Sequence, residues 1–177
     1  METQDGKHLT FALGKEDYGI PILKVREIIG MMEITNVPKT PDYIKGVINL
    51  RGKIIPIMDL RAKFAMEQKK YGERTCIIVV EVNINETKRQ MGIVVDMVSE
   101  VLNISESEIE PALDYGATVE GDFLTGMGKV REKVIMLLNI DKIVSCEELV
   151  NLFNKEMKDF KEDAFPKKEA EIKEVTV

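Results

Sequence analysis

"DYIKGVINLRGKIIPIMDL", residues 42–60, aligns without a gap on "DFLTGMGKVREKVIMLLNI", residues 122–140. The identities are Asp42/Asp122, Gly46/Gly126, Arg51/Arg131, Lys53/Lys133 and Ile55/Ile135, with conservative pairs at Tyr43/Phe123, Ile44/Leu124, Ile54/Val134 and Ile57/Leu137. Each copy reads as two strand-sized apolar runs that meet at an arginine, the pattern of a hairpin with Arg51 or Arg131 at its turn. A second pair of stretches, "GIPILKVREII" (19–29) and "GIVVDMVSEVL" (92–102), matches at Gly19/Gly92, Ile20/Ile93, Val25/Val98 and Glu27/Glu100. The segments come in the same order in both halves, so the chain is read as an internal duplication.

Working outward from the repeat, short β-branched runs split by Gly, Asn, Asp and Pro predict an all-β chain of antiparallel strands closing as two small barrels. Each lobe should hold about five strands, lobe 1 over 8–66 and lobe 2 over 75–140, with Glu67–Arg74 as the connection. Pro56 inside a strand run points to a barrel edge or a bulge. His8 reads as a polar position at a strand entry, and "VNINETKRQ" (82–90) reads as a long loop. Asp59 can cap a short helix through Phe64, and Asn139 or Asp141 can do the same in the second half. Ser145-Cys146-Glu147-Glu148 has the form of a capping box that opens a helix over 145–160 with Leu149, Leu152, Phe153, Met157 and Phe160 on one face. Residues 1–7 and 161–177 read as polar and charged tails.

The net charge of −6 is spread along the chain and leaves no basic patch, so nucleic acid is a poor partner. The first residues are acidic rather than those of a secretory signal, and the apolar runs are too short to span a membrane. Both point to a cytoplasmic protein, in which Cys76 and Cys146 are buried reduced thiols.

Chemistry is hard to assemble. "GVINLRGK" is not a phosphate-cradling loop: five residues separate Gly46 from Gly52, Ile54 stands where a hydroxyl is needed, and a strand follows. The one histidine, His8, has no metal-ligand neighbours and would have to serve any Ser or Cys triad alone. Glu106, Glu108 and Glu110 read as a solvated face. No acid, base and oxyanion site come together, so no enzyme, cofactor or metal is expected. Arg51 keeps two readings. It pairs with Glu27, as Arg131 would with Glu100, because a guanidinium among apolar strands needs a carboxylate. Or it stands at a groove where a partner docks.

"YGIPILKVREI", "TPDYIKGVINLRGKIIPIMDLR", "MGIVVDMVSEVL" and "FLTGMG" resemble the CheW-like family of bacterial chemotaxis coupling proteins from about Leu9 to Phe153. The same domain occurs in the histidine kinase CheA and in CheV. The resemblance implies two intertwined SH3-like barrels over 8–144 and a non-catalytic adaptor that links the cytoplasmic tips of membrane chemoreceptors to CheA. It implies a receptor-binding groove at Val25, Ile28, Arg51, Val98 and Val101, and structural ion pairs Glu27–Arg51 and Glu100–Arg131. It also implies a contact at Tyr115 with the kinase domain or with further CheW copies in rings. The chain has no kinase ATP-site motif, and the stretch after the domain is too short for a receiver domain, which favours a free-standing protein in receptor arrays. A small-ligand-binding barrel or a detached kinase regulatory domain are the alternatives.

Overall fold

The structure, a computed structural model, describes residues 6–111 and 123–144. The first half contributes β1 (Gly6–Leu13), β2 (Glu16–Pro21), a 3-10 turn (Ile22–Lys24), β3 (Val25–Gly30), β4 (Ile44–Leu50), β5 (Lys53–Asp59) and the short helix α1 (Leu60–Lys63). The second contributes β6 (Cys76–Ile84), β7 (Thr87–Val95), β8 (Met97–Ile104), a 3-10 turn (Glu106–Glu108), β9 (Ile109–Pro111), β10 (Leu124–Val130), β11 (Lys133–Leu138) and α2 (Ile140–Val144). The helix expected over 145–160, Tyr115 and the tail after Lys161 lie outside the described residues.

Two sheets result, in the orders β8-β1-β2-β11-β10-β9 and β3-β6-β7-β5-β4. The expected lobes over 8–66 and 75–140 are therefore units of sequence and not of space. Hairpin β1–β2 of the first half lies in the sheet of the second, and hairpin β6–β7 of the second lies in the sheet of the first. The exchange obeys the repeat to the residue. Leu137 lies opposite Gly19 in the parallel pair β11–β2, and the repeat-equivalent Ile57 lies opposite Gly92 in the parallel pair β5–β7. Val101 faces Leu9 and the equivalent Ile28 faces Ile78, with a bulge at the matching place in each ladder. A second bulge recurs between Ile44 and Gly46 and between Leu124 and Gly126.

Each sheet is closed by the continuation of its own end strand. Beyond β3 the chain pairs back on β4, where Thr35 and Val47 exchange backbone hydrogen bonds of 2.8 and 2.9 Å. Beyond β8 it does the same through β9, which pairs with β10 at Gly126–Gly128. Gly46 makes the first closure possible. Its φ is +139°, and a Cβ there would stand 2.0 Å from the Thr35 carbonyl oxygen. Ile48, Ile55, Ile57, Ile77, Val79 and Val94 fill one sheet interior, and Ile104, Ile135 and Leu137 pack in the other.

The two-residue hairpin turns have both central residues at positive φ, at Arg51-Gly52 (53° and 87°) and at Arg131-Glu132 (51° and 64°). This is the turn whose twist matches that of the flanking strands. The "VNINETKRQ" stretch is not a loop. β6 and β7 stay paired to Ile84↔Thr87 and turn at Asn85-Glu86, with φ of 49° and 65°. Pro56 is also not at an edge or a bulge, since β5 lies between β4 and β7. Counting from the two-residue turn, Pro56 and Val47 form a non-hydrogen-bonded pair, so the missing amide faces β7. The ladder to β7 begins only at Ile57, and no bond is lost.

His8 is buried in β1, 4% exposed, with Nδ1 3.0 Å from the Gly6 carbonyl. It stands near the start of β1 as expected, and burial lowers its pKa. Asp59 caps α1 by accepting from the Arg61 amide, and of the two candidates for α2 it is Asn139 that accepts from the Lys142 amide. Cys76 is half-buried, and burial raises its thiol pKa. Among the described residues no helix is long and apolar enough to cross a membrane, and no His, Cys, Asp or Glu cluster has metal-ligand geometry.

Candidate functional site

The repeat places the same constellation twice. At the tip of β4–β5, the Arg51 guanidinium pairs with Glu27 at the β3 bulge. At the tip of β10–β11, Arg131 Nη1 lies 3.2 Å from Glu100 Oε1 on β8. Both arginines are wet, with side chains 70% and 74% exposed. Ion pairs in water contribute little, because hydration competes with the Coulomb gain. Arg51→Ala should therefore cost 1 kcal/mol at most, by the rule for exposed pairs. A urea-denaturation cycle with Glu27→Ala should return a coupling in the same small range. A coupling of several kcal/mol would show that the pair holds the fold.

Beside each ion pair stands an aliphatic side chain facing outward. Side chains alternate along a strand, and Ile29 of β3 and Leu102 of β8 pack inward on the two cores. Their neighbours Ile28 and Val101 consequently point out, 46% and 48% exposed. Val25 and Val98, also repeat equivalents, are half-buried. β3 and β8 each have a ladder partner on one side only, β6 and β1 respectively. Glu27, Ile28 and Arg51 are thus gathered at one place, and Glu100, Val101 and Arg131 at its equivalent.

Two features escaped the sequence reading. Arg61 of α1 forks onto Asp96, Nε to Oδ1 at 2.8 Å and Nη2 to Oδ2 at 2.6 Å, and Asp96 also accepts from the Gly14 amide at 2.7 Å. The side chains are only 13% and 16% exposed. The available signal was a lone Asp inside the apolar run 92–98. The second feature is a capping box at Ser105–Glu108, in which Glu108 accepts from the Ser105 amide and hydroxyl. Those bonds lower the Glu108 pKa. Of the other two acids in this stretch, Glu110 pairs with Lys129.

A family model for the CheW-like domain matches residues 7–148. The chain belongs to the CheW-like family. It is 46% identical over 153 residues to the chemotaxis protein CheW of Klebsiella aerogenes, covering 86% of this chain and 90% of that one. It is 34% identical over 154 residues to the chemotaxis protein CheW of Rhizobium meliloti, covering 82% and 97%. Among solved structures, the scaffolding protein TtCheW from Thermoanaerobacter tengcongensis matches with a TM-score of 0.72 at 34% identity, covering 82% of this chain and 96% of that one. The chain is accordingly a chemotaxis scaffold or coupling protein and not an enzyme.

Proposed function

We propose that the chain couples the cytoplasmic tips of chemoreceptors to the histidine kinase CheA, in arrays beneath the membrane. The observation that carries the receptor half of this reading is the outward pair Ile28 and Val101, 46% and 48% exposed on equivalent strands. With Val25 and Val98 they form the aliphatic lining of a receptor groove, and Arg51 stands at its edge. An amphipathic receptor helix docks there by its apolar face, with the aliphatics as anchors. CheA and further copies of the chain dock elsewhere, with Tyr115 as a contact.

Co-sedimentation with receptor signalling tips, with and without CheA, tests the reading. Val101→Asp puts a charge where an apolar helix face should land. It is expected to weaken receptor binding about tenfold, or about 1.4 kcal/mol, and to leave CheA binding unchanged. Circular dichroism and melting first establish that the variant is folded. A folded variant that loses the kinase and keeps the receptor would show the two surfaces assigned the wrong way round.

A further inference from the structure

The ion pairs divide by whether they stay within one half of the duplication or join the two. Of those within a half, Glu27–Arg51 and Glu100–Arg131 are repeat equivalents and keep their polarity, whereas Lys88–Glu81 and Lys129–Glu110 have Ala12 and Asn49 at an equivalent place and no counterpart. Those that join the halves do not. Helix α1 carries the cation Arg61 against Asp96 on the β7–β8 connection, where Asp96 also accepts from the amide of Gly14 at the β1–β2 turn. Helix α2 carries the carboxylate Asp141 against Lys24 on the β2–β3 connection at 2.8 Å, and Asp141 also accepts from the Asn83 amide near the β6–β7 turn. By the strand registers Gly14 and Asn83 are equivalent, Arg61 is equivalent to Asp141, and Lys24 is one place on from the equivalent of Asp96. The two sites match, with charge reversed. The third cross-half pair, Arg26–Glu81, has Ser99 and Ala12 at the equivalent places.

We propose that these cross-half pairs form a pairing code that lets each half exchange its hairpin with the unlike half and not with another copy of itself. The occupant excluded is a second copy of this chain. The same strand exchange between two like halves keeps every ladder in register by the repeat. Its electrostatics are opposite. Half 1 on half 1 sets Arg61 against Lys24, and half 2 on half 2 sets Asp141 against Asp96. It also leaves Glu81, whose side chain is 18% exposed, without Arg26 and with only the 3.8 Å pair to Lys88 of its own hairpin. Like charges at partly buried sites are costly because little water screens them. Specificity of this kind is obtained by repulsion in the wrong complex as much as by attraction in the right one.

The test levels the code in the full chain. With Lys24→Asp and Asp141→Lys together, both helices carry the cation and both connections the carboxylate, so like halves attract as well as unlike ones. The wild type, refolded from urea at high concentration, should elute as a monomer by size exclusion with light scattering. The levelled variant should shift toward a dimer. Lys24→Ala with Asp141→Ala removes the tie without making like halves attractive and should stay monomeric. Cysteines at Leu9 and Ile28, with Cys76 and Cys146 replaced by serine, come opposite each other only when like halves pair, and an interchain disulfide reports it. Lys24→Glu with Asp141→Arg levels the code by an independent route if the first pair does not fold. A levelled variant that refolds as a monomer, an alanine pair that dimerises equally, or a dimer that forms no such disulfide would each overturn the proposal.

Discussion

Asp96→Ala should cost the fold about 3 kcal/mol, the scale of leaving a partly buried cation without its partner. For a chain of this length that is a fall in Tm of about 9 °C. Three donors converge on this carboxylate, two from the Arg61 guanidinium and one from the Gly14 amide. Without it, Arg61 keeps the Glu67 carbonyl as acceptor and only the more distant charges of Asp59 and Glu67. The connection β7–β8, the β1–β2 turn and α1 would lose their common anchor. The Arg61 hydrogen bonds, against the opposing effect of burial, hold the Asp96 carboxyl below its ordinary range, with help from Gly14. A carboxyl whose pKa is lower in the fold contributes stability that is complete above its unfolded value, about 4, and is lost as pH falls through the folded value. The stability gap between wild type and Asp96→Ala should therefore be constant at neutral pH and shrink below about pH 4. A gap that stayed constant into strong acid would show that the carboxylate charge is not what the fold uses.

Gly46→Ala should be of similar size, about 4 kcal/mol, from two causes that add. A φ of +139° is outside what an L residue adopts without strain, and the new Cβ would be 2.0 Å from a backbone oxygen. A backbone carbonyl cannot swing aside as a side-chain tip can, so the Thr35–Val47 bridge has to open. Hydrogen exchange at the Thr35 and Val47 amides should accelerate together with the fall in melting temperature. Unchanged protection at both amides would show that the bridge does not close the sheet.

The duplication and the hairpins with arginine at their turns were legible because each leaves a local mark, matching residues at matching spacing, whereas Ile28 and Val101 were named through the family resemblance. The exchange of hairpins left none, and only the family resemblance, which implies intertwined barrels, announced it. A chain whose halves each closed alone and a chain whose halves trade β1–β2 for β6–β7 show the same periodicity and the same repeat, since partner choice is decided by contacts far apart in sequence. Arg61–Asp96 was missed for the same reason. An acid in an apolar run looks like a turn until the helix that supplies its cation is placed beside it. Pro56 was misjudged because its tolerance depends on where a neighbouring ladder starts, and β7 is more than thirty residues away.

The traded hairpins also set a clock on biosynthesis. β1–β2 ends at Pro21, and its parallel neighbour β11 is complete only at Leu138. Translation at roughly 5–20 residues per second takes on the order of ten seconds over that interval. Until Ile104 completes β8 the first hairpin has neither ladder partner, and until Leu138 it lacks β11, so part of the apolar set Leu9, Phe11 and Ile20, all buried in the finished protein, stays uncovered. The nascent chain of this all-β scaffold thus keeps core side chains in contact with water until almost its last strand has emerged.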